Sequence, residues 1–340
     1  MVDNELLYEK EITIYSDKSD FVFSKSFNGK IKYVSINKET NSVQILPQYN
    51  PKIGTGSPVY AIVGMIHGKI NNYILAVNRA SFLGLYLNSK VFKIEEFSYI
   101  SSVSNDQVNY IHEEDRPYIQ MIDCFLARNS LYYSDSIDLT ATVNTILNTN
   151  TKISSLIFPK TIPHFCWNYN ITRNLDSSDL FGFIHPIING FVGIRSVCDY
   201  PQEFTYIVIS RKDSRRSGMR LLVRGNDKNG NSANFVETEH IVIQRIGSHR
   251  NKFNVFSYLQ IRGSMPFLWT QLPNLLFNPK IVPRTEYNEN YATFRKHMNE
   301  LVPTYGRVVL VNLIDRKGDQ NRMGEYFTNL SKDLKETKGK

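Results

Sequence analysis

Two apolar runs, residues 59–66 and 73–77, are separated by only His67-Gly68-Lys69-Ile70-Asn71-Asn72. Strand-like segments joined by so short a connection predict a β-hairpin with a longer-than-minimal turn. More strand-like text surrounds the pair. Residues 12–14, 21–23 and 31–36 precede it, and 81–86 and 91–94 follow, each alternating or rich in β-branched and aromatic residues. Twenty tyrosines and twenty phenylalanines in 340 residues also favour β-rich packing. Residues 48–58, with Pro51, Gly54, Gly56 and Pro58, read as a loop.

Helical spacing appears in a few places. Tyr118, Met121, Ile122 and Phe125 recur at helical intervals within residues 116–125. A second helix is expected to begin at Asp135 or Ser136, with Leu139, Val143, Ile146 and Leu147 on its apolar face. Residues 148–163 read as irregular and 164–169 as strand-like, and Asn, Asp and Ser cluster at 173–179. That cluster is taken as a boundary between residues 1–175 and 176–340. The second part opens on an apolar run at 181–194. It continues with strands at 204–210, 235–244 and 253–261, a helix at 291–301, a buried strand at 307–314 and a final helix at 323–334. The pattern is α+β.

Three cysteines, Cys124, Cys166 and Cys198, make no disulfide framework, which points to a reducing compartment. The opening MVDNELLYEKEI has no apolar signal-peptide core, and no run reaches the roughly 20 apolar residues of a membrane span. Asn170-Ile171-Thr172 is a glycosylation sequon that is expected to go unused without a secretory signal. The net charge of +8 fits an acidic partner or simple solubility.

The charge has a focus. Arg211, Lys212, Arg215, Arg216, Arg220 and Arg224 lie in one stretch, and a turn at Ser217-Gly218 would let the arginines converge on an anion. A guanidinium offers phosphate two parallel hydrogen bonds; the plainer alternative is a solvated loop. No aromatic residue is interleaved between Arg211 and Arg224, which argues against nucleic acid. The turn 225–230 has the outline of a phosphate loop, but Asn231-Ser232 follows where Lys-Ser/Thr is required, so it reads as a tight turn. Glu237 and Glu239 fit either a general acid/base pair or a strand face that is wet or paired with arginine. The seven histidines show no metal-ligand spacing. No cysteine is followed by arginine at the Cys-x5-Arg interval of thiol phosphatases: Arg128 is too near Cys124, and Arg173 is one residue too far from Cys166.

The segments AIVGMIHGKINNYILAVNRASFLG, LYYSDSIDLT, FGFIHPIINGFVGI, RGNDKNGNSANFVETEHIV, LQIRGSMPFLWTQ and YGRVVLVNLIDRKG, in this order, resemble the signature text of the Sac domain of phosphoinositide phosphatases. The resemblance covers nearly the whole chain from about residue 57. It implies an N-terminal β-rich Sac subdomain followed by the front part of an α/β catalytic subdomain of cysteine-phosphatase type. It implies removal of a phosphate from phosphatidylinositol 4-phosphate or 3-phosphate by a Cys thiolate, without a metal or other cofactor, at the cytosolic face of endoplasmic reticulum or Golgi membranes. In the family the Cys-x5-Arg loop follows the segment matched by residues 308–318, and no position here matches it. These 340 residues are therefore expected to be inactive alone. The residues carried over are Arg211, Arg215, Arg216, Arg220, Arg224 and Arg262, expected to bind phosphoinositide or an anionic membrane surface. The alternative is a catalytically inactive Sac module that binds such membranes or a protein partner.

Overall fold

The structure is a computed structural model and describes residues 8–50, 56–103, 110–148, 161–175, 178–180, 182–199, 202–220, 222–246, 253–271, 280–283 and 286–338. The chain forms two compact units: Met1–Arg211 with Thr238–Leu259, and Lys212–Glu237 with Gln260–Lys340. The fold is α+β, dominated by antiparallel sheets.

The first unit begins with β1 (Ile12–Ser16), β2 (Asp20–Phe27), β3 (Lys30–Asn37), β4 (Val43–Leu46) and β5 (Ser57–Val59). They make a five-stranded antiparallel sheet in the order β4-β3-β2-β1-β5. Period-two alternation puts Ile12, Ile14, Phe21, Phe23, Val34 and Ile36 on one face, all buried. That face packs with Ile62, Met65, Ile74 and Ala76 of the next sheet.

The expected hairpin is β6 (Ala61–His67) with β7 (Asn72–Tyr86), in register Ile66↔Tyr73 and His67↔Asn72. Both faces of β6 are covered. Ile62 and Met65 join the first core, while Ala61, Val63 and Ile66 join a second that includes Ile119. Coverage on both sides explains why this strand reads as a continuous apolar run. Residues 81–86, expected as a separate strand, are the far end of β7, which pairs along its length with β8 (Ser89–Ser101). The connection is closed by Asp115, which is fully buried. Its carboxylate accepts the Lys69 N–H at 2.6 Å, those of Ile70 and Asn71 at 3.0 Å each, and the Tyr73 hydroxyl at 2.8 Å.

Next come α1 (Arg116–Arg128), β9 (Leu131–Ser134), α2 (Val143–Asn148), α3 (Tyr169–Thr172), β10 (Ile188–Asp199), β11 (Gln202–Lys212), β12 (Val236–Arg245) and β13 (Phe253–Arg262). The second sheet runs β13-β12-β11-β10-β9-β8-β7-β6. Three local expectations change. Helix α1 forms, yet it buries Ile119 and leaves Tyr118, Met121 and Phe125 at the surface. The helix expected from residue 135 begins at Val143. Residues 135–142 turn instead, because the Asp138 carboxylate caps the Thr140 N–H at 2.9 Å and its hydroxyl at 2.7 Å. Residues 164–169 are turns leading into α3, folded by local bonds such as Cys166 N–H to Ile162 O. The Asn/Asp/Ser cluster at 173–179 lies within the first unit, with the core residue Leu175 inside it and Leu180 directly after it. Of residues 148–163, positions 149–160 lie outside the described residues, as do 51–55 of the expected loop at 48–58.

The second unit holds β14 (Trp269–Gln271), β15 (Ile281–Pro283), α4 (Tyr287–Tyr305) and α5 (Gly318–Lys338). The two helices pack through Phe294 and Phe327, edge to face at 5.8 Å. The strand expected at 307–314 does not form. The segment forms neither helix nor strand, and Val309, Val311 and Leu313 are 74%, 70% and 88% exposed. An apolar alternation becomes a strand only where a neighbour pairs its backbone and covers its side chains. Val311→Lys and Leu313→Lys are therefore expected to leave the denaturation midpoint within about 0.5 kcal/mol of wild type, as surface substitutions do. Both are also expected to lower binding of a hydrophobic dye and aggregation on heating.

Candidate functional site: the basic segment of the second unit

Arg211 departs most from expectation. It was expected at an anion-binding surface, but it is fully buried in the first unit. Alternation places it on the core face of β11, beyond Ile207 and Ile209. Its Nε donates to Leu139 O at 2.5 Å, and its Nη2 to Ala141 O at 2.7 Å and to Glu239 Oε2 at 2.9 Å. Glu239, on the core face of β12 beside Ile241, also accepts the Val143 N–H at 3.0 Å and the Ser257 hydroxyl at 2.9 Å. The pair is structural, which also removes Glu239 as a catalytic acid. Glu237 is buried as well and accepts the Tyr305 hydroxyl at 2.5 Å.

The remaining arginines lie in the second unit. Arg215 is held in place. The Asp213 carboxylate, 3% exposed, accepts its Nε and Nη2, and Glu300 on α4 accepts the same Nη2 at 2.8 Å. Burial lowers its pKa, but these two carboxylates outweigh burial and hold it above the ordinary arginine value. Its charge is spent on them.

Arg216, Arg224 and Arg220 belong to the turn that follows. Asn234, at φ +52°, closes it: its N–H bonds Arg216 O at 3.0 Å and its Oδ1 accepts the Gly218 N–H. Arg216 Nη2 donates to Arg224 O at 2.9 Å. Arg224 lies over the Trp269 ring, 5.4 Å from its centroid, and donates to Gln271 Oε1 at 3.0 Å. Burial, and then the charge of Arg220, lower the Arg224 pKa below its ordinary value. Arg220 itself is exposed, between Met219 at 67% and Leu222 at 64% exposure. Arg262, at the end of β13, is also exposed.

The tight turn expected at 225–230 is built around Asp227. Its carboxylate accepts the N–H groups of Asn229 and Asn231 at 2.9 Å each and the Asn231 side-chain amide at 2.8 Å. Gly225 at φ +63° has no room for a Cβ, which would sit 2.6 Å from Phe267 O. The turn thus carries Asn226, 4% exposed, whose side-chain nitrogen and oxygen are both without a hydrogen-bond partner. The Nε atoms of Arg216 and Arg224 are likewise buried and unpartnered. Sequence reasoning named the two arginines but missed Asn226, Trp269 and Gln271. In the sequence Asn226 is simply one residue of the tight turn expected at 225–230.

The surroundings of two thiols are described. Cys166 is buried, its Sγ donates to Asn168 Oδ1 at 3.2 Å, and burial together with Asp138 pushes its pKa up to about 12. Cys124 is exposed on α1.

Residues 60–340 match the SacI homology domain, and the chain belongs to that family. It is 30% identical over 286 residues to phosphatidylinositol-3-phosphatase SAC1-B of Danio rerio, covering 82% of this chain and 47% of that protein. It is 27% identical over 339 residues to phosphatidylinositol-3-phosphatase SAC1 of Drosophila melanogaster, covering 96% and 55%. Against the protein of that name in Saccharomyces cerevisiae the figures are 28% over 335 residues, 96% and 52%. The chain spans about half the length of the curated relatives it matches.

Proposed function

We propose that this chain is the lipid-engaging front part of a phosphoinositide phosphatase acting on phosphatidylinositol monophosphates such as the 4- or 3-phosphate. In this reading residues 1–175 form the N-terminal Sac subdomain and 176–340 the first part of the catalytic one. The work is done at the cytosolic face of endoplasmic reticulum or Golgi membranes. The observation that carries it is the turn at Met219–Leu222, where an exposed arginine stands between two exposed apolar side chains. That composition suits the boundary between headgroups and acyl chains, with apolar atoms dipping and the cation meeting lipid phosphate. Arg262 adds a second exposed cation, Arg211 is buried, and Arg215, though exposed, is paired with Asp213 and Glu300. No helix among the described residues is long and apolar enough to cross a membrane. The names of the relatives supply the substrate class.

The chemistry would be attack on phosphorus by a thiolate in a Cys-x5-Arg loop, which breaks the bond to the inositol oxygen and releases it as a protonated hydroxyl, followed by attack of water on the phosphocysteine to free phosphate and the thiolate; arginine and backbone N–H groups would stabilise the charge that develops on the phosphoryl oxygens. The second reading is an inactive Sac module that binds anionic membranes or a protein partner. Two measurements test these readings. Purified chain is expected to release no phosphate from phosphatidylinositol 4-phosphate beyond a heat-denatured control; measurable turnover would defeat that expectation. It is expected to co-sediment with liposomes containing that lipid. Each exposed cation contributes about 1 kcal/mol, so Arg220→Ala with Arg262→Ala should weaken sedimentation roughly 10- to 30-fold, as should raised salt. Binding indifferent to both would overturn the membrane reading.

A further inference from the structure

We propose that β13 is a self-association edge, at which a second copy of this chain adds its own β13 antiparallel and extends the second sheet across a two-fold axis.

An open sheet edge offers unpaired N–H and C=O groups to any other strand. Proteins guard such edges with short strands, proline, charge or a covering segment. Of the four edges of the two large sheets, three are guarded in this way. β4 and β5 end the first sheet with four and three residues, and β5 contains Pro58. β6 ends the second sheet on one side and is covered. Its Ile62 N–H donates to Phe183 O at 3.0 Å, and its Val63 O accepts the Asn168 side-chain amide at 2.9 Å. β13 ends the same sheet on the other side, with ten residues. Among the described residues nothing pairs with its outer edge. Its text from 253 to 261, FNVFSYLQI, contains no charge, no proline and no glycine.

The strand is also complementary to itself. Val255 packs against the core, and the Ser257 hydroxyl bonds the buried Glu239, so odd-numbered residues face inward. Phe256 and Tyr258 therefore face outward, at 57% and 63% exposure. Tyr258 ends a row of rings that crosses three strands. Tyr206 on β11 stacks on His240 of β12 at 6.2 Å, and His240 lies 6.2 Å from Tyr258. Residues opposite one another in an antiparallel pair share a face, so two symmetric copies must meet with numbers of equal parity. Centred on Ser257, that register sets Phe256 opposite Tyr258 of the second copy, and Val255 opposite Leu259. Aromatic meets aromatic outside and aliphatic meets aliphatic inside, both favourable cross-strand pairs. No like charges oppose each other, because the strand carries none. Val255–Leu259 all belong to the first unit. A fully buried aromatic side chain hides about 150–250 Å². The four that meet at the seam, already partly covered, bring about 350–600 Å² together. That is below the roughly 1,200 Å² of a permanent interface, so the dimer is reversible.

The test is sedimentation equilibrium of the 340-residue chain from low micromolar to near-millimolar concentration. A monomer–dimer equilibrium is expected, closing at two because each copy has one such edge. Phe256→Lys with Tyr258→Lys sets lysine opposite lysine twice and should weaken association about tenfold or more. Phe256→Lys with Tyr258→Glu sets lysine opposite glutamate twice and should restore it to within about threefold of wild type. Circular dichroism should show both variants folded, since both positions are exposed. A monomer at every concentration overturns the proposal, as does assembly that grows beyond the dimer. A dimer that both variants weaken equally, or that neither weakens, lies elsewhere and overturns it too. Hydrogen exchange of the wild type needs no variant. Amides of residues 255–259 should exchange more slowly as concentration rises, and exchange independent of concentration counts against the seam.

Discussion

Arg211→Ala is expected to destabilise the first unit by about 3–5 kcal/mol, the usual cost of leaving one member of a buried ion pair without its partner. Glu239 would keep a charge at zero exposure, and the carbonyls of Leu139 and Ala141 would lose their donors. Denaturant unfolding followed by circular dichroism measures the loss. The double change Arg211→Met with Glu239→Leu should recover only part of it, since it removes both charges but leaves Leu139 O, Ala141 O, the Val143 N–H and the Ser257 hydroxyl without these partners. A surface arginine would behave differently: its removal would shift stability by no more than about 0.5 kcal/mol and would weaken lipid binding instead. A fully stable Arg211→Ala protein would show that the buried pair does not exist.

Asp115→Ala is expected to cost about 4–6 kcal/mol. It strands three backbone N–H groups and a tyrosine hydroxyl in the interior, each worth about 1–3 kcal/mol when left unpaired. Asp115→Asn should rescue little, because its amide hydrogens would face donors. The carboxylate also gives stability a pH dependence. Burial alone would raise its pKa, but the N–H groups of Ile70, Asn71 and Lys69 and the Tyr73 hydroxyl outweigh burial and hold it below the ordinary range. A depressed folded pKa means the contribution is whole above the unfolded value of about 3.9 and is lost as pH falls through the folded one. Wild-type stability should therefore fall on acidification, and the Asp115→Ala curve should be flatter over the same range. Parallel curves would remove Asp115 as the source.

Several features were legible in the residues alone. The spacing of residues 59–66 and 73–77 specified the hairpin, alternation or an excess of β-branched and aromatic residues located the strands at 12–14, 21–23 and 31–36, and strand-like segments those at 204–210 and 253–261. The order of the Sac-like segments pointed to the family to which the chain belongs. The burial of Arg211 was also written in the text, since it continues the odd-numbered row Ile207, Ile209, as Glu239 precedes Ile241. It was missed because charge was weighed before alternation.

What the sequence by itself determined was pattern: hairpin spacing, strand periodicity, the α+β composition and the cluster of arginines. These depend on neighbours a few residues apart, through backbone geometry that repeats every two residues in a strand. Tertiary structure alone decided which arginine meets a carboxylate, which meets a carbonyl and which meets water. Residues 307–314 carry a strand pattern and form no strand, because pairing needs a second chain segment and no local propensity supplies one. Asn226 reads as an ordinary turn residue until the fold buries it with no partner for either end of its amide. Burial and partnership are properties of distant segments brought together, and they set which of these charges is free to act.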